Sequence, residues 1–278
     1  MPEFVFYAIV GAIAGGVAGA IVKLAGPRIA ALTPNRHWQR LGPGFVAALV
    51  AVALFVLGVT SFGKYAGVMD GGATQEAKVL EDIHRYRFVQ VLEKYQPDTK
   101  KQIEALVHEA VTHNDPALAE RRTAELVQSY FPRYVPVTSD EAITRFAQSL
   151  VDVFAYLEKA DINSCKALAT GGQLGKALSR DRMAPTLDAM AQVIEDGASK
   201  PQAKPDTQRA QTLVQQSFAT LYAGNDPLLL PQSQLTSVAQ APADKLCHTM
   251  QAFYRTVLAL PKADASIVLR ALIGGRPG

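Results

Sequence analysis

Two stretches of this chain carry no charged residue: the 19 residues from Phe4 to Val22 and the 20 from Gly44 to Gly63. A helix that crosses the hydrocarbon core of a bilayer needs about 20 consecutive apolar residues. Neither stretch contains proline, and both are apolar all round, whereas a helix buried in a soluble domain normally keeps a polar edge. The pair predicts a transmembrane hairpin over residues 1–63, with spans at 4–22 and 44–63 joined by the connector Lys23–Pro43. A cleaved signal peptide opens on Lys or Arg and has a shorter apolar core. This chain opens Met-Pro-Glu, so the first run reads as a retained helix.

The connector contains Lys23, Arg28, Arg36 and Arg40 and no acidic residue. Short loops rich in Lys and Arg stay on the cytoplasmic side. These four residues therefore predict a cytoplasmic connector, with the N-terminus and everything after Gly63 on the opposite face. In a bacterial envelope this is an inner-membrane protein of two spans whose C-terminal domain is extracytoplasmic. Only these four of the 28 basic residues, and only Glu3 of the 25 acidic ones, precede Lys64. The remainder is balanced in charge, which argues against a nucleic-acid partner. The lipid bilayer is the first partner expected.

Gly11, Gly15 and Gly19 recur every four residues in the first run. Positions four apart share a helix face, and small side chains there let membrane helices approach closely. The face is expected to pack against the second span, against another membrane or envelope protein, or against a second copy in a homo-oligomer.

Residues 64–75 are rich in glycine and read as a flexible linker. From 76 to 278 the pattern is helical, and alternating strand patterns are nearly absent, so the fold class expected is all-α: a transmembrane hairpin followed by a multi-helix soluble domain. The segment Gln75–Tyr95 carries an apolar stripe and reads as one helix. A second includes Ile103, Leu106, Val107 and Ala110. Asp115-Pro116 reads as the start of a third. Thr138 and Glu141 form an expected capping box, ahead of the clearest amphipathic run, Ile143 to Leu157. Shorter helices are expected after Asp161 and between Met183 and Ile194, with further ones around Leu213–Tyr222, Leu246–Leu258 and Ala263–Ile273. Residues 199–205, rich in proline and lysine, read as a linker that divides the domain into two subdomains. A faint echo links Leu157-Glu-Lys-Ala-Asp161 with Leu260-Pro-Lys-Ala-Asp264 and suggests a duplicated helical unit.

Cys165 and Cys247 are the only cysteines. Outside the cytoplasm such a pair is expected to form a disulfide. Near-motifs fail on spacing. His108-Glu109 with His113 is one residue too long for a zinc-protease helix, and Gly171–Ala177 is one residue too short for a phosphate loop. No catalytic residue, cofactor site or metal site is therefore expected. Tyr130, Phe131, Arg133 and Tyr134, beside Pro132 and Pro136, form the one aromatic and basic cluster with the composition of an interface hot spot. A packed corner between helices would look the same. The function expected is that of a membrane-anchored scaffold or interaction module. The alternatives are an accessory subunit of a transport or secretion complex, and an enzyme with a dispersed site.

Overall fold

The computed structural model describes residues 72–113, 126, 130–170 and 178–274. All regular structure among them is helical. The predicted spans, the basic connector and most of the glycine-rich linker lie outside the described residues. Among the described residues no helix is long and apolar enough to cross a membrane.

Three helices open the domain: α1 (Gly72–His84), α2 (Arg87–Tyr95) and α3 (Asp98–His113). The single helix expected over 75–95 is thus two, and the expected linker is already helical from Gly72. The break is at Tyr86, whose backbone is extended at φ −85° and ψ 127°. The side chain of Gln90 donates to the His84 carbonyl at 2.8 Å and so satisfies one carbonyl at the end of α1. Residues 130–134 then form a helical turn that runs into a 3-10 turn at Val135–Val137.

Next comes α4 (Asp140–Ala160), the longest helix described. Its cap is Ser139 rather than the expected Thr138. The Ser139 hydroxyl accepts from the Ala142 amide at 3.1 Å, while Thr138 is fully buried with its hydroxyl unpartnered. Asp140 and Glu141 in the first turn and Lys159 in the last match the helix dipole. Asp161 ends α4 and at once caps α5 (Ile162–Thr170), accepting from the amides of Asn163 at 3.1 Å and Ser164 at 3.2 Å. The chain continues through α6 (Arg180–Ser199), α7 (Thr207–Ala223), a 3-10 stretch (Gln232–Gln240), α8 (Ala243–Leu258) and α9 (Lys262–Gly274).

The helix pairs α4–α5 and α8–α9 embrace each other. Helix α4 packs along α8, while α5 lies on α8 and α9 lies on α4. Every buried position of α4 from Phe146 to Leu157 has a buried counterpart on α8, from Leu246 to Val257, at the same spacing. The match runs on into the second helices, where Cys165, Leu168 and Ala169 correspond to Ala265, Val268 and Leu269. Phe154 meets its own counterpart Tyr254, ring centroids 6.2 Å apart, where a pseudo-two-fold axis must pass. The polar ties correspond as well. The Lys166 ammonium donates to the Ala241 carbonyl at 2.8 Å, just before α8. The Ser266 hydroxyl, at the matching place on α9, donates to Asp140 at the start of α4. The echo visible in sequence pairs Leu157 with Leu260; the packing pairs it with Val257.

Around this centre, α6 covers α4 and is itself covered by α2, while α7 covers α8 and α9. The buried side chains join in one cluster. Residues 199–205, expected as a linker, begin on the last residue of α6 and then dock against this cluster. The Gln202 amide donates to the Val137 carbonyl at 2.7 Å, and the Arg270 guanidinium donates to the Ala203 carbonyl at 3.2 Å. Two glycines admit the 130–137 corner. A Cβ on Gly197 would sit 2.7 Å from the Tyr134 carbonyl oxygen, and one on Gly274 would sit 2.8 Å from Pro136 Cγ.

Candidate functional site

The outer face of α4 presents Ser149, Asp152, Val153 and Tyr156, spaced so that they share one side of the helix. Opposite lie Leu178 and, on α6, Asp181, Arg182, Pro185 and Thr186. Together they line a cleft of about 260 Å³. The Arg182 guanidinium lies over the Tyr156 ring, 4.6 Å from its centroid. The Asp152 carboxylate accepts from Gln148 at 3.1 Å. Neither Asp152 nor Asp181 forms an ion pair among the described residues.

Two features of the cleft are unusual for a helix surface. Thr186 is 1% exposed, and its hydroxyl has no hydrogen-bond partner. Pro185 lies inside α6 and has no amide hydrogen, so the Asp181 carbonyl lacks its usual donor one turn on. A proline inside a helical pattern is a sequence signal of such a gap, yet reading by apolar spacing passes over this site. Its polar residues lie on the outward face of a helix recognised by its inward one.

The corresponding place on the other helix pair is closed. Thr249, Ala252, Phe253 and Thr256 stand where Ser149, Asp152, Val153 and Tyr156 do. Phe253 stacks on Phe218 of α7 at a centroid distance of 4.8 Å. The turn after α7 folds over the same side, where the Leu230 amide donates to the Thr249 hydroxyl at 2.7 Å and the Tyr222 hydroxyl donates to the Leu230 carbonyl at 2.6 Å.

A second polar cluster is a clamp. His248 Nε2 is 2.8 Å from Asp226, and its Nδ1 is 3.6 Å from Glu158. The Leu228 amide and, secondarily, His248 hold the Asp226 carboxyl below its ordinary range. The carboxylates face opposite ring nitrogens, so the three groups share no coordination point. Among the described residues no group of three or more His, Cys, Asp or Glu could hold a metal ion.

The residues singled out in the sequence are widely separated. Cys165 on α5 and Cys247 on α8 are fully buried and at disulfide distance, with Cα atoms 5.9 Å apart, inside the range that bridges require. Phe131 and Tyr134 belong to the core: Phe131 packs edge-on against Phe146 at 5.7 Å, and the Tyr134 hydroxyl accepts from Gln96 at 2.6 Å. Their burial removes them from the expected partner surface. Arg133 remains exposed beside the half-buried Tyr130, its guanidinium 5.1 Å from that ring's centroid. His108 pairs with Glu76 of α1 at 3.0 Å. Gly11, Gly15, Gly19, Lys23, Arg28, Arg36, Arg40 and the stretch 171–177 lie outside the described residues. Compared with protein-family models, with curated proteins and with solved structures, the chain matches none.

Proposed function

We propose that this chain is a membrane-tethered interaction module whose helical domain is held outside the cytoplasm of a bacterial cell. The observation that supports this most is the approach of Cys165 to Cys247. A buried cysteine pair that closes a loop of 82 residues is of use where thiols oxidise, and rare where they are kept reduced. The two uncharged runs and the basic connector point to the same side of the membrane. On this reading the hairpin anchors the chain and the helical domain offers its surface to another envelope protein.

Because both cysteines are fully buried, the test is acid quenching of intact cells, unfolding in denaturant and alkylation of the exposed thiols, with and without prior reduction. Reaction of Cys165 and Cys247 only after reduction is the expected result. Alkylation of both without reduction would mean that the thiols are kept reduced, as they are in the cytoplasm, and would sink the proposal. A second reading, an accessory subunit of a membrane complex, rests on the spacing of Gly11, Gly15 and Gly19. It predicts that Gly15→Leu abolishes co-purification with the partner, whereas an interaction made by the helical domain alone survives that change.

A further inference from the structure

The cleft between α4 and α6 is lined by apolar and polar side chains together, two of them carboxylates. Asp152 and Asp181 border it, as do Pro185, which leaves the Asp181 carbonyl without its usual donor, and Thr186, whose buried hydroxyl has no partner. The face of Tyr156 completes it, and that face already holds a guanidinium, that of Arg182. Among the described lining residues Arg182 is the only cation, so these residues carry one net negative charge. We infer that the cleft is a binding site for an organic monocation, a primary ammonium or guanidinium group on a compact carrier.

The chemistry selects this class against the others. An anion would meet two carboxylates. A neutral polar molecule would leave both unneutralised beside a π face that attracts cations. A volume of about 260 Å³ lies below the range of roughly 300–1,000 Å³ in which drug-sized ligands are enclosed, so the occupant is a small amine or a single Lys or Arg side chain of a partner. Arg182 is exposed and joined to no carboxylate among the described residues. It occupies the aromatic face as an internal competitor and is free to swing away. The inference depends on the cleft alone and holds on either side of a membrane.

Calorimetric titration of the full-length chain in detergent micelles tests it, using n-butylammonium, Nα-acetyl-lysine methylamide and the neutral control n-butanol. Saturable binding of at least one cation, one per chain and absent for n-butanol, is the expected result. Asp152→Asn and Asp181→Asn should each weaken it about two- to fivefold, the scale of one exposed ion pair. Both positions are exposed, and an unchanged unfolding midpoint verifies that the variants fold. Arg182→Ala should tighten binding, because it removes the competitor; a merely structural arginine would not give that result. Tighter binding of the lysine derivative assigns the site to a partner's side chain, and tighter binding of n-butylammonium assigns it to a free amine. Failure of both cations to saturate, equal uptake of n-butanol, indifference to both asparagine variants, or weaker binding by Arg182→Ala would each overturn the inference.

Discussion

The helix pairs α4–α5 and α8–α9 share a frame and differ in what covers them. In both, a long helix ends after a buried aliphatic residue, Leu157 or Val257, and a short helix turns back to pack on the opposite pair. Outside that frame the solutions diverge. On α8 an aromatic ring, Phe253, meets another across a helix interface, and a following turn seals the side. On α4 the matching position is Val153, and α6 leaves a polar gap bordered by Asp152, Tyr156 and Arg182. A repeated core therefore does not make a repeated surface. The inward residues are constrained by packing against each other, and the outward ones are free to become a site.

The largest effect expected concerns Cys165 and Cys247, which stand at disulfide distance across the two pairs. Closing a loop of 82 residues limits the unfolded chain by roughly 4.5 kcal/mol in the chain-entropy model. Cys165→Ala with Cys247→Ala should therefore lower stability by about 2–4.5 kcal/mol in denaturant unfolding, and reductant should do the same to the parent protein while leaving the variant unmoved. A parent whose midpoint ignores reductant would have no bridge.

The next test asks whether the frame is symmetric where nothing yet marks it. The counterparts of Cys165 and Cys247 are Ala265 and Ala147, both fully buried. Introducing Ala147→Cys and Ala265→Cys into the cysteine-free variant should form a bridge, seen by non-reducing mass analysis. It should restore about 2–4 kcal/mol. Two thiols that stay free under oxidising conditions would limit the symmetry to the helix pairing and exclude this contact.

How much of this was legible in the sequence differs between core and surface. The apolar face from Ile143 to Leu157 and that from Leu246 to Val257 are buried as their periodicity required, because burial is what produces that periodicity. The matching burial of the two helix pairs was visible only out of register. Matching residue identities aligned Leu157 with Leu260, whereas the fold preserves burial, and Phe154 and Tyr254 or Cys165 and Ala265 share little else. Local chemistry misled where tertiary contacts competed with it. Thr138 has the right residue type for a cap but is drawn into the core, and Ser139 takes the role. The prolines of 199–205 suggested a free linker, but Arg270, a distant charge with no local signal, ties the segment down. The cleft itself was missed because its parts come from two helices that sequence does not place side by side.

The smallest effect sharpens the comparison at the axis itself, where Phe154 faces Tyr254. Tyr254 is fully buried, and its hydroxyl has no partner. An unsatisfied buried hydroxyl is a cost that a methine of similar shape avoids, so Tyr254→Phe should raise stability by about 1 kcal/mol near neutral pH. The pH dependence gives an independent check. Burial pushes the Tyr254 hydroxyl far above its ordinary value of 10.0, so it stays protonated in the fold while the unfolded chain ionises. A raised folded value means that this contribution is fully present below pH 10 and is lost as the pH rises toward the folded value, at up to about 1.4 kcal/mol per pH unit. Tyr222, pushed up to about 12 by burial, acts in the same sense between pH 10 and 12. The gap between Tyr254→Phe and its parent should therefore widen from pH 8 to pH 11, measured as denaturant midpoints at each pH. Parallel curves would mean that the Tyr254 hydroxyl reaches water, and that the two rings do not meet on a closed axis.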